Sequence, residues 1–505
     1  MSVLLEESFG ATFWPVKNVE SLTPFIPNER SSPSLNLAEG AFCMANRSNR
    51  RDFMKTTAAA GAGFWAAGGV SPKPSRAAID EISFGCIGVG GKGSSDSGDA
   101  KANGNVVAIC DIDDNTLGGA KDKFPGARAY NDFRKMLDEM GKSIDAVTGS
   151  TPDHTHGPAA LMAMRMGKHC FCQKPMTHSI YEARMMGNIA RDNNLVTQMG
   201  NQGTATSSLR RSAAMIKAGK IGAVKEVHVW TNRPVWPQGL DLPEPQEVPG
   251  HVQWDLWLGP AKERPYNAIY HPFKWRGWWD FGTGALGDMA CHTLNMSYMA
   301  LDLKDPTSVQ ATTDGHNKQT YPKWSVIKYE FPGNDERGPV TMYWYDGGKR
   351  PPAEALKGCP GNDGRDFSSG ALITGEDANF ISPGDYGGDD SKSGLVVNGE
   401  FISQTDRQFR DVKYTRSPGH FKEFANGIKG EGTPMSNFPG YATGLSEVVL
   451  LGNLSVWEAA GDGPGNMTEG PTVEWDAKTL KAKNSTKEIE QIVKPIYRDG
   501  YTLEG

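Results

Sequence analysis

The sequence predicts an α/β protein: a doubly wound parallel sheet over about residues 78–200, followed by a second unit on an antiparallel or mixed sheet with one covered face. Two rhythms predict it. Between residues 82 and 199, short apolar runs alternate with helical stretches, the pattern of parallel strands joined by crossover helices. Beyond residue 224 the runs change to period-two alternation, as in strands that bury one face. A length of 505 residues allows two or three domains, each with its own core.

In the first unit, residues 82–87, 106–110, 146–149, 169–172 and 195–199 read as strands. Stretches 132–140, 158–166 and 179–193 carry apolar residues at helical spacing. In the second unit 224–231 alternates, Val227 and Val229 against His228 and Trp230; 325–331 and 340–345 do the same, and 371–374 more weakly. Helices at 288–301, 420–428 and 445–460 are expected to cover that sheet. Residues 383–394, rich in Gly, Asp and Ser, read as a solvated loop, with an anion or metal role as the other reading.

The first 77 residues read as a leader rather than as fold. Arg50-Arg51 precede a short Ala/Gly-rich stretch at 56–70, and Ser75-Arg76-Ala77 offers a small-residue exit. These are the parts of an export signal, and paired arginines point to the twin-arginine route into the periplasm. Met44 lies where such a signal normally starts, so 1–43 reads as an upstream extension and 44–77 as the signal. Composition excludes other classes. With 53 Lys+Arg against 59 Asp+Glu, the net charge of -6 gives no reason to expect nucleic acid as a partner. No run of 18 apolar residues is present to span a membrane. Seven cysteines are too few for a disulfide scaffold. Cys170 and Cys172 share one face of a strand, which leaves a metal site, a disulfide or two inert buried thiols as readings.

Chemistry enters at the strand ends. Gly88-Val89-Gly90-Gly91-Lys92-Gly93 follows the first strand and opens a helix, so backbone N–H groups can meet a pyrophosphate with no Cβ in the way. Asp111 ends the second strand, where a carboxylate would accept from both ribose hydroxyls and repel a 2′-phosphate; this favours NAD over NADP. Thr151-Pro152-Asp153-His154-Thr155-His156 follows the 146–149 strand and should border the same ligand; metal ligation by His154 and His156, or simple turn packing, are the other readings. Lys174, before Pro175 at another strand end, is placed to stabilise a developing alkoxide or else is merely solvated. Asp288 and His292, four apart on a helix, share a face, where the carboxylate would raise the basicity of the imidazole and fix its tautomer; a helix N-terminal Asp beside a partly exposed His is the other reading. Trp275, Arg276 and Trp279 concentrate flat indoles and a cation, suited to sugar faces and hydroxyls or to a packed interface.

These pieces in this order resemble the Gfo/Idh/MocA oxidoreductase family: Gly88–Gly93, Asp111, the 151–156 turn, Lys174-Pro175, Gly200-Asn201-Gln202, and Asp288 with His292. The resemblance implies an N-terminal Rossmann domain over 78–200. It implies a C-terminal α/β domain over 201–505 with a large, mostly antiparallel open sheet that often mediates a homo-oligomer, a dimer or tetramer. It implies Lys174, Asp288 and His292 as the catalytic group, with His292 taking the hydroxyl proton of a sugar or cyclitol. Gly88, Gly90, Gly91, Gly93, Asp111, Thr151, Pro152, His154 and Lys174 would line the nucleotide, with Gln202 near the nicotinamide or substrate; no metal is implied. Family members usually carry Glu-Lys-Pro, and here Gln173 stands in place of the glutamate. Outside the cytoplasm free NAD is scarce, so a nucleotide held and recycled in the site is expected. The alternatives are an NAD-dependent glycosidase or lyase acting by transient sugar oxidation, a metal-dependent lyase or isomerase, and a non-catalytic sugar binder.

Overall fold

Six strands alternate with helices through the first unit: β1 (Ser83–Ile87), β2 (Asn105–Cys110), β3 (Arg128–Tyr130), β4 (Ala146–Gly149), β5 (His169–Cys172) and β6 (Thr197–Met199). They form one all-parallel sheet in the order β3-β2-β1-β4-β5-β6. The computed structural model describes residues 81–484 and 486–503, so the leader expected over 1–77 lies outside the described residues. Helices cover both faces of this sheet, and β4 and β5 are buried along their whole length, which is why they read as plain apolar runs. Strand order reverses between β1 and β4, and the carboxyl ends of those strands open the crevice where such sheets take ligands. Cys170 and Cys172 are buried free thiols whose ionisation burial opposes.

Side chains start several of the helices. Asp113 accepts from the N–H groups of Asn115 and Thr116 at 2.9 and 3.2 Å, and Ser179 with Glu182 forms a reciprocal capping box. The helix after β4 runs Asp153–Arg165, five residues ahead of the expected start, because Pro158 sits inside it rather than opening it.

The second unit is an eleven-stranded sheet: β7 (Val224–Trp230), β8 (Ser308–Thr313), β9 (Ser325–Phe331), β10 (Val340–Tyr345), β11 (Gly370–Gly375), β12 (Asn379–Pro383), β13 (Gly394–Val397), β14 (Glu400–Ser403), β15 (Thr468–Glu469), β16 (Val473–Asp476) and β17 (Lys481–Ala482). Only β7 and β10 pair in parallel; the other pairs are antiparallel. The expected 288–301 helix is two, Gly284–Thr293 and Asn295–Leu301, which with Thr443–Glu458 bury one face of this sheet. Contact there is close: a Cβ on Gly452 would lie 1.9 Å from the Tyr329 hydroxyl.

Two expectations change. Helix His420–Ile428 packs on the parallel sheet instead, its Phe421 and Phe424 against Phe84 and Phe171. Those aromatics match the apolar face of β1 and β5, whereas the second sheet is already covered. Its other face is partly covered too, by Leu356, Cys359 and Phe367 against Trp230 and Tyr345. No helix among the described residues is long and apolar enough to cross a membrane.

Candidate active site

The glycine loop between β1 and the helix Lys92–Asn103 is a tight cradle. Gly88 has φ +75°, and a Cβ there would lie 2.5 Å from the Ser150 carbonyl oxygen; one on Gly93 would lie 2.0 Å from the Gly88 carbonyl oxygen. The helix beyond has no side-chain cap and no acid in its first turn, a terminus suited to a pyrophosphate. Asp111, at the end of β2, accepts from the N–H groups of Val89 (2.9 Å) and Asp113 (3.1 Å). Burial pushes its carboxyl up while these amides pull it back.

A cavity of about 750 Å³ opens on this cradle, lined by Gly88, Gly90, Gly91, Asp111, Thr151 and Pro152 on one side. A lobe from the second unit closes over it. Asp114 N–H donates to the His251 carbonyl (2.8 Å) and Gln253 N–H to that of Ile112 (2.9 Å). The Asp113 carboxylate faces the Nε2 atoms of His271 and His251 at 3.4 and 3.6 Å. The residues present therefore fit a dinucleotide: a Cβ-free turn, an open helix terminus, a ribose-side carboxylate and a roof.

At the other end of the cavity, Lys174 follows β5 across a cis peptide to Pro175. Its Nζ donates to the Asp288 carboxylate (2.8 Å) and carbonyl (2.6 Å), and Arg276 Nε reaches the same carboxylate oxygen at 3.3 Å. Burial alone would raise the Asp288 carboxyl, but Lys174 and Arg276 outweigh it and hold it at about 2. His292 lies one turn further along the Gly284–Thr293 helix, 3% exposed, with Nδ1 unpartnered among the described residues. Asp288 makes no hydrogen bond to it. Burial and the Lys174 ammonium hold the imidazole well below its ordinary value, so it is a neutral acceptor rather than the more basic group expected.

Several expected residues lie elsewhere. His154 faces away from the cavity, its ring nitrogens against the carbonyls of Phe281 (3.1 Å) and Trp257 (2.9 Å), where it ties the first unit to the lobe; His156 lines the cavity in its place. Gln202 is solvent-exposed and outside the cavity wall. Trp279 is core: its indole donates to the Thr320 carbonyl and stacks on Tyr321 at 3.7 Å, while Trp275 and Arg276 do line the cavity. Phe273, which opens the same aromatic run, lines the cavity as well, 47% exposed beneath the Arg276 guanidinium. Among the described residues no group of three or more His, Cys, Asp or Glu could hold a metal ion.

Gln173 has a partner that explains it. Its Nε2 donates to the buried carboxylate of Asp96 (2.8 Å), which also accepts from Ser150 Oγ (2.7 Å) and pairs with Lys92. A carboxylate is thus already present, on the helix instead of on β5. Gln173→Glu would set two buried carboxylates in contact, so one must keep its proton. A shared pKa raised in the folded state gives stability that is lost as pH rises. The variant should melt near the parent at about pH 5 and several degrees lower at about pH 8; equal melting differences at both pH values would contradict this contact.

Residues 82–201 match the family description "Oxidoreductase family, NAD-binding Rossmann fold", and residues 216–341 match that family's C-terminal alpha/beta domain. Residues 82–201 and 216–341 thus match the models of both domains of the Gfo/Idh/MocA oxidoreductase family. Levoglucosan dehydrogenase of Pseudarthrobacter phenanthrenivorans is 24% identical over 176 residues, 35% of this chain and 37% of that protein. Inositol 2-dehydrogenase 2 of Saccharopolyspora erythraea is 27% identical over 135 residues, 26% of this chain and 38% of that one. The chain therefore spans well under half the length of these curated relatives. Among solved folds, a WlbA dehydrogenase from Chromobacterium violaceum in complex with NADH and UDP-GlcNAcA has TM-score 0.54 at 18% identity, covering 79% of this chain and 99% of that one. An inositol dehydrogenase homologue from Azotobacter vinelandii, complexed with NADH and myo-inositol, has TM-score 0.51 at 16% identity, covering 78% and 98%.

Proposed function

We propose that the chain is an exported NAD-dependent oxidoreductase that moves a hydride between a nicotinamide and a secondary alcohol of a sugar, cyclitol or sugar derivative, and keeps its nucleotide between turnovers. One observation carries the reading: the Lys174 ammonium, clamped by Asp288, stands on the wall of the same cavity that the glycine cradle opens onto. When bound there, a nicotinamide supplies the hydride acceptor. Lys174 holds the substrate oxygen and stabilises negative charge as its proton leaves. His292, neutral and buried, takes that proton. Asp288 keeps Lys174 aimed. Asp111 favours NAD, since its carboxylate at the ribose end would repel a 2′-phosphate.

The lobe over the cavity supports retention, because a nucleotide beneath it leaves only when the His251, Gln253 and Asp113 contacts part. The relatives named for levoglucosan and inositol support a sugar or cyclitol substrate. Export rests on Arg50-Arg51, and a homo-oligomer, dimer or tetramer, rests on the family resemblance. The retained Lys174 favours net oxidation over the glycosidase route.

The test is to purify the protein from the periplasmic fraction, denature it, and identify released nucleotide by absorbance and mass. About one NAD per chain is expected, together with a change at 340 nm when sugars or cyclitols are added to the intact protein. NADP in its place would contradict the role of Asp111. Aglycone release from glycosides with no net redox change would move the reading to transient oxidation.

A further inference from the structure

The loop 383–394 is not simply solvated. Its Tyr386 ring stands edge-on to the His292 imidazole, centroids 4.7 Å apart at 75°. Tyr386 is itself 44% exposed, whereas His292 beneath it is 3% exposed. An exposed aromatic over a buried imidazole is a cover.

The loop is pinned on both sides of that ring. Asp385 pairs with Arg233 at 3.1 Å, Asp390 accepts from Gln404 at 3.0 Å, and Asp389 accepts from the N–H groups of Ser391 and Lys392. The Tyr386 backbone rests on the turn Gln202–Ala205, so close that a Cβ on Gly203 would lie 2.8 Å from its carbonyl oxygen. With backbone and flanking carboxylates held, the ring lies against the imidazole.

We infer that Tyr386 is a positioning residue for His292: its ring roofs the imidazole, excludes water and holds its plane. The inference rests on His292 as the proton acceptor. Lys174, Arg233, Asp288 and His420 are the charged or titratable groups that act on the imidazole. Of these, Lys174, Arg233 and His420 oppose its protonation and Asp288 favours it. Tyr386 adds no charge and acts by keeping water out, which an apolar ring does as well as a phenol.

The test follows the His292 ring by NMR in histidine-labelled full-length protein, its signal assigned with His292→Asn, from about pH 8 to 5.5. In the parent the ring stays neutral over this range. Tyr386→Ala admits water and should bring the ring's protonation up into this pH window, with a rise in KM for whichever sugar is turned over. Tyr386→Phe should titrate as the parent does. A Tyr386→Ala ring that titrates like the parent overturns the inference. The readout needs no substrate, so a parent that oxidises no sugar would defeat the functional reading while the titration still decides on the roof. Tyr386 is exposed enough for its truncation to leave the core intact.

Discussion

Lys174→Ala lowers kcat/KM by on the order of 10³-fold while the nucleotide stays bound. The expectation follows from where the ammonium stands. It is a cation on the cavity wall, held as donor to two oxygens of Asp288 at 2.6 and 2.8 Å, so it need not reorganise as charge develops on a substrate oxygen. Asp288→Asn should cost less, roughly 10-fold, because an amide keeps one hydrogen bond but loosens the aim. Removing the lysine also leaves Asp288 with Arg276 alone at 3.3 Å, a loss of about 1–3 kcal/mol in stability. Rates are therefore normalised to folded protein by melting curves, and to bound nucleotide by absorbance after denaturation. A Lys174→Ala protein within about threefold of the parent on that basis removes Lys174 from the chemistry.

How much of this was legible depends on whether a residue's partner is local. β4 and β5 emerge with their boundaries intact because a strand buried on both faces writes an uninterrupted apolar run. The glycine cradle was legible because its constraint is a turn a few residues long. β8 was missed: only Val309, Ala311 and Thr313 face inward, and Ser308, Gln310 and Thr312 give its sequence a polar look. Asp288 shows the harder limit. Spacing of i, i+4 places it on the face of His292, yet it binds a lysine 114 residues away, and no local pattern reveals that the distant cation wins. Trp279 and His154 were read as ligand-facing because an indole or imidazole near a motif suggests recognition; in each case backbone carbonyls claimed the ring nitrogens. Tyr386 lay in a stretch whose Gly and Asp content said only "loop". Those residues are there to pin it, and the pinning became visible once Arg233 and Gln404 came alongside.

Acidification from about pH 7 to 5 should cost the fold on the order of 5 kcal/mol, enough to bring it close to unfolding. The cause is a set of histidines buried in the neutral form. His316 donates from Nε2 to the Val456 carbonyl (2.8 Å) and accepts at Nδ1 from Lys318 N–H (3.2 Å), so its neutral tautomer is fully satisfied; burial holds it at about 4. His420 donates to the Met199 carbonyl (2.8 Å) and is likewise held at about 4 by burial. At His154 burial outweighs its two carbonyl partners and leaves it at about 3, and His292 is also pushed well down. In the unfolded chain each takes up a proton near pH 6.5, whereas in the folded one it does not. Their contribution is therefore complete above about pH 6.5 and falls by about 1.4 kcal/mol per histidine for each pH unit below it. Asp346 works the other way: burial raises it to about 6, so the folded state gains there as pH drops, and the offset is roughly that of one histidine. Urea unfolding of the nucleotide-bound protein at the two pH values measures the balance. His316→Gln, which keeps a donor for Val456 but cannot titrate, should flatten the pH slope by about one histidine's share. Equal midpoints at pH 5 and 7 would mean that these rings are charged in the fold, and with them His292, which could then no longer accept a proton from an alcohol.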